Sequence, residues 1–207
     1  MEFTTVFDAI SRSYSKYFIT IKDEGNELYA IWGEDASDKN DKLLVDAANY
    51  VMLFADMFDA LRYIVIPSTI AFDRPNMHDW AEACLELQPS SSYTYDLNHV
   101  LSMIDSDRFG NLAEDTREEC WEVLNVLHLI SDYAYQSEDK QMIDIYRGKP
   151  ISVFSDYVYD NYFWTIPTEE IQTRNGLIVW ESYHLLFKQN LNALVQQFKS
   201  RFLYYSG

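Results

Sequence analysis

Hydrophobic positions in this 207-residue chain recur mostly at steps of three and four residues, the spacing that lines one face of an α-helix. Phe3, Phe7, Ile10, Tyr14 and Phe18 predict a first helix over residues 4–18. The period then changes. Residues 17–21 and 28–32 are rich in β-branched and aromatic side chains and flank a polar turn containing Gly25, which predicts a hairpin. From Lys42 to Ile64 the chain is apolar on nearly every side, with Leu44, Ala47, Val51, Phe54, Phe58 and Leu61 on the main face. A helix of that kind belongs at the centre of a fold.

Shorter helices are predicted over Met77–Leu87, capped by Asn76 and closed by Pro89, over Asp96–Asp105, and over Glu138–Tyr146. A long amphipathic helix is predicted for residues 113–135, its first turns rich in acids that suit the positive end of a helix dipole. Gly148 and Pro150 break the chain after it. Residues 151–164 read as helix by spacing and as strand by residue type. Residues 177–204 hold the clearest three-four rhythm, through Trp180, Phe187, Leu191, Leu194, Phe198 and Phe202. The expectation is a mostly α protein: a single helical domain over residues 1–207, its long C-terminal helix packed on a buried central helix, with a small N-terminal β-hairpin. The Ser90–Ser92 run marks a weak boundary near residues 89–93.

Charge changes this picture. The chain carries 33 acids against 16 bases, a formal net charge of −17. Such a surface repels nucleic-acid backbones and anionic membranes, so its natural macromolecular partners are basic. Between Asp23 and Asp139 there are 25 acids and 6 bases. Aromatic residues make up 16% of the chain, and 16 of them are tyrosines. So many hydroxyls cannot all be core, which leaves aromatic surface for binding or for a homodimer. No segment reaches the ~20 apolar residues that span a bilayer. The first residues lack the basic and apolar regions of a secretory signal. Two isolated cysteines make no disulfide framework, and the cytoplasm is the expected compartment.

Candidate chemistry is sparse. No nucleophile elbow, phosphate-binding loop or dinucleotide fingerprint occurs. Asp105–Asn111 opens like a calcium loop, but Phe109 and Thr116 stand where oxygen ligands are required. Asp96 and His99, and again Glu181 and His184, place a carboxylate three residues before a histidine. Di-iron helical bundles use that spacing, so a bundle metalloenzyme is the rival reading. Otherwise no cofactor and no catalysis are expected.

Three acidic clusters sit beside aromatics. Asp35 and Asp38 lie in the loop after Trp32. Glu114, Asp115, Glu118, Glu119 and Glu122 open the long amphipathic helix. Asp156, Tyr157, Tyr159, Asp160 and Tyr162 interleave the two residue types. Tyr offers rigid contact area and carboxylates pair with Lys and Arg. In size, charge, cysteine content and these clusters, the chain resembles the small acidic immunity proteins of bacterial polymorphic and contact-dependent toxin systems. The resemblance implies non-catalytic capture and inhibition of a basic toxin domain, with the Asp156–Tyr162 residues as anchors and the Glu114–Glu122 face steering. An adaptor or scaffold for another partner is the remaining alternative.

Overall fold

The structure, a computed structural model, describes residues 5–66, 72–106, 117–160 and 176–205, the side chains of 176–181 excepted. The chain divides into two compact units. The first comprises residues 1–96 and 200–207, and the second residues 97–199, so the second is inserted between two segments of the first.

Helix α1 (Val6–Tyr14) begins with a capping box in which the Thr5 side chain and Asp8 satisfy each other's backbone N–H. It stops at Ser15, whose left-handed φ of 52° turns the chain directly into strand β1 (Lys16–Asp23). Helix 1 therefore does not run on to Phe18. Glu24 and Gly25 both have positive φ, the geometry of a type I′ turn, and lead into β2 (Asn26–Glu34). The predicted hairpin is present in register, with Ile19 opposite Ala30 and Ile21 opposite Leu28.

The expected central helix over residues 42–64 is not present. The segment is strand β3 (Asp41–Leu43), strand β4 (Val51–Phe54) and helix α2 (Met57–Val65). Asp46 accounts for the break, since its carboxylate accepts from the N–H of Ala48 and Tyr50 and so folds the chain into a tight turn. Asn49 in that turn sits at φ 63°, and Val45 and Val51 bridge across it. Asp56 then caps α2 by accepting from the N–H of Phe58 and Asp59.

Helix α3 (Arg74–Cys84) follows, and Ser91–Asp96, expected to be a linker running into a helix, is strand β5. The second unit contains α4 (Leu97–Asp105), α5 (Arg117–Gln136), α6 (Lys140–Tyr146), α7 (Lys149–Val158) and α8 (Gly176–Lys199). Pro150 does not end a helix; it occupies the first turn of α7, where its missing N–H costs nothing. The C-terminal helix is shorter than its hydrophobic rhythm suggested, and Phe202–Tyr205 form strand β6.

The first unit is thus built on a six-stranded mixed sheet in the order β5-β1-β2-β4-β6, with β3 also pairing β2. Its β1–β5 and β4–β6 pairs are parallel and the others antiparallel. The chain is an α/β protein and not a mostly α single helical domain. Helices α1, α2 and α3 supply Phe7, Leu61, Ile64, Met77 and Trp80 to a core shared with Phe18, Ile31 and Phe54 of the sheet. The helices of the second unit pack on one another: α8 packs on α7, with Phe187 stacked on Phe154 at 4.3 Å, and on α5, with Phe198 against Tyr133 at 5.3 Å. The C-terminal helix therefore finds its partners within its own unit.

Candidate functional site

The acidic loop after β2 is partly neutralised from within, by Lys39 and Lys42. Asp35 is buried at 6% exposure and accepts from Lys42 Nζ at 2.6 Å and from the backbone N–H and hydroxyl of Ser37. Burial alone would raise its carboxyl, but these hydrogen bonds outweigh it and bring the pKa down to about 2. Lys42 also pairs with Asp38 at 2.8 Å, and Lys39 with Glu34 at 2.9 Å. Asp35 and Asp38 hold a loop together.

Helix α5 is different. Its buried side carries Cys120, Leu124, Leu127 and Ile130. Besides Arg117, Glu119 and Gln136, the positions left wholly or partly open to solvent are Glu118, Trp121, Glu122, Asn125, His128, Asp132 and Tyr135. They follow steps of three and four, so they form one stripe about 26 Å long at 1.5 Å per residue. Glu122 lies 3.7 Å from His99 Nε2 of α4, and Glu119 is partly open beside them on the helix.

The C-terminal half of the stripe is bordered by tyrosines from the next two helices. Tyr159, at the C-cap of α7, places its hydroxyl 3.5 Å from His128 Nε2. Tyr135 accepts a hydrogen bond from Arg147 Nε at 2.8 Å, with the guanidinium 5.3 Å above its ring. Burial holds the His128 imidazole below its usual pKa, so the ring is neutral at pH 7. Burial raises the Tyr146 phenol, which hydrogen-bonds to Ser131 and feels the negative charge of Asp132. Ser131 is therefore engaged by Tyr146. The arrangement presents fixed aromatic edges between carboxylates, which suits recognition of a cation.

The Asp156–Tyr162 cluster is split by the helix that contains it. Asp156 is exposed, and Tyr159 and Asp160 are partly so, whereas Tyr157 is on the inner side of α7 with Ile151, Phe154 and Val158. Tyr157 is only 8% exposed and serves as core. Glu114, Asp115 and Tyr162 lie outside the described residues, as do positions 107–116 of the calcium-like loop. Of the rival metal set, His99 meets Glu122, Asp96 ends β5, His184 is partly buried on α8, and the Glu181 side chain is outside the described residues.

Among the described residues, the three-ligand grouping close enough to hold a metal is instead His78, Asp79 and Glu82 on α3. His78 Nδ1 lies 3.8 Å from Asp79, and Nε2 lies 3.9 Å from Glu82. The i, i+4 spacing of His78 and Glu82 was the available signal, and it marks a solvent-facing side of the helix. The Tyr146 and Tyr159 flank of His128 had no such signal, because it is assembled from three helices.

Comparison with known proteins places the fold but not the activity. No family model matches the chain, and no curated protein matches it. Among solved structures it is similar to the C-terminal domain of SatS, described in complex with bromine, at 16% identity and a TM-score of 0.59. The likeness covers 94% of this chain and 96% of that one, so the α/β architecture as a whole is shared. No helix among the described residues is long and apolar enough to cross a membrane.

Proposed function

We propose that this protein is a non-catalytic binding protein that captures a basic protein segment on the α5 stripe. The observation that carries the reading is the chemistry of that stripe. Glu118, Glu122 and Asp132 alternate with Trp121, His128 and Tyr135 along one line of exposed and half-buried positions, and Tyr159 borders it. Carboxylates pair with Lys and Arg, while aromatic rings accept the flat guanidinium face. The net charge of −17 adds long-range attraction, which speeds encounter with a cationic partner. The Glu34–Asp41 loop contributes less, because three of its carboxylates are already paired with lysines.

Neutralisation of a cationic toxin domain in the cytoplasm is the narrower form of this proposal, supported by the resemblance in size, charge and composition. The general reading is tested with an array of Lys- and Arg-rich peptides, followed by kinetics on the tightest binder. The expected association rate falls about tenfold or more as salt rises from 50 to 500 mM, because screening shortens the reach of the field. Glu118→Lys/Glu122→Lys slows association further. A rate indifferent to both changes would remove the proposal. The narrower form is tested by co-expression: the chain should restore growth to cells carrying a cognate cationic toxin domain, and the double variant should not.

A further inference from the structure

Helix α8 carries a face that differs in kind from the acidic stripe. Its fully exposed side chains, among the described residues, are Ser182, Leu185, Leu186, Gln189, Asn192, Ala193 and Gln196. They recur at steps of three and four and make one stripe about 21 Å long at 1.5 Å per residue. None of them is charged. Lys188 and Lys199 are half-buried beside the stripe, and Lys188 pairs with Asp105 at 3.6 Å. Leu185 is 63% exposed and Leu186 49%, two large apolar side chains left in water next to each other.

Charge and shape together select what fits there. A basic partner finds no carboxylate on this stripe to pair with. Two copies of a chain with net charge −17 repel each other, and the repulsion is weakest where neither presents a charged group. The stripe also complements itself. Gln189, Asn192, Ala193 and Gln196 stand at i, i+3, i+4 and i+7, the four corners of a hole on a helix surface. The small Ala193 keeps that hole open, and Leu185, one turn before it, has the size to enter it. Carboxamides both donate and accept, so those of Gln189, Asn192 and Gln196 suit an identical face.

We propose that this face of α8 pairs with the same face of a second copy, antiparallel, about a two-fold axis at Gln189. Leu185 of each copy then enters the hole bounded by Gln189, Asn192, Ala193 and Gln196 of the other, and Gln189 meets its own counterpart on the axis. One helix pair is a contact at the small end of specific interfaces, so the dimer is a weak one. It is independent of the capture of a basic segment on α5, and salt acts on the two in opposite directions. Screening weakens attraction to a cationic partner and relieves repulsion between two acidic copies.

The test is sedimentation equilibrium of the full chain up to 0.5 mM, in 50 and 500 mM salt. A monomer–dimer equilibrium that tightens at least threefold at the higher salt is the expected result. Leu185→Glu, an exposed change, should weaken the dimer at least tenfold while leaving the melting temperature unchanged. Cysteine cross-linking checks the geometry separately, since the native Cys84 and Cys120 are buried. Gln189→Cys, on the axis, should give a disulfide-linked dimer under mild oxidation. Ser182→Cys should not, because its two copies lie about 20 Å apart along the helices, beyond the ~7 Å that a disulfide tolerates. A monomer at both salts overturns the proposal, and so does a dimer that loosens as salt rises. Undiminished dimerisation of a folded Leu185→Glu protein, or equal cross-linking at the two cysteine positions, also overturns it.

Discussion

At the scale of single residues, the largest electrostatic commitment is Lys16, which is fully buried. Its three ammonium protons go to the carbonyl oxygens of Tyr14 and Glu34 and to Asp73 Oδ2, at 3.1, 2.7 and 2.9 Å. Asn76 donates to the same Tyr14 carbonyl and to Asp73, so one node ties α1, β1, β2 and the start of α3 together. A charge removed from water is tolerated only when every donor is used. Lys16→Met leaves the Asp73 carboxylate without its charged partner, and urea unfolding should show a loss of about 3–5 kcal/mol. Adding Asp73→Asn should recover part of that loss, which separates unpaired charge from poor packing. Asp35 makes a second prediction. Its carboxyl is held down to about 2 in the fold, so the loop's contribution is complete above the unfolded value of 3.8 and fades as pH falls through 2. The urea midpoint should therefore drop between pH 4 and pH 2, and Lys42→Met should flatten that drop.

At the scale of elements, close approach and helix faces decide more than propensity. Gly33 in β2 lies where a Cβ would come within 2.1 Å of the Ser15 carbonyl oxygen, because Ser15 leads into β1 beside it and turns that carbonyl to the Glu34 N–H. Backbone cannot yield as a side chain tip can, so Gly33→Ala should lower stability by roughly 1–3 kcal/mol or more, read from thermal melts. Helix α5 makes the opposite point. One side is core, and the other carries the acids and aromatic rings proposed for recognition. His128 sits at the edge between them, and burial holds its pKa down. A group that resists protonation in the fold but not in the unfolded chain makes stability fall on acidification. Stability should decline from pH 7 towards pH 5, and His128→Gln should lessen the slope. A slope unchanged in that variant would assign the acid sensitivity to other groups.

At the scale of the whole molecule, the first unit draws on both ends of the sequence. Strand β6 pairs with β4 in parallel, Val51 opposite Phe202 and Phe54 opposite Tyr205, across roughly 150 residues of intervening chain. Tyr205 also packs on Phe54 and Tyr63, with ring centroids 5.2 and 5.0 Å apart. Deleting residues 201–207 should uncover the β4 edge and destabilise the sheet unit. Hydrogen exchange should then show lost protection at Val51–Phe54, while protection in the core of α5 persists.

The reach of the amino-acid pattern follows from these distances. Local features were legible: the Gly25 hairpin, the short helix over Glu138–Tyr146, the long amphipathic α5, and the acidic opening of that helix. Each depends on residues within a turn or two of one another, where spacing and side-chain chemistry act directly. The segment from Lys42 to Ile64 was misread because a run that is apolar on all sides has no period to separate strand from helix. Only the Asp46 turn and the Asp56 cap divide it. Ser91–Asp96 and Phe202–Tyr205 became strands because β1 and β4 supply their hydrogen-bond partners from far along the chain, and nothing local records such a partner. The same holds for the sites: acidity and aromatic content were plain from composition. Which carboxylates are spent on lysines, and which remain on an open helix face, was decided by packing.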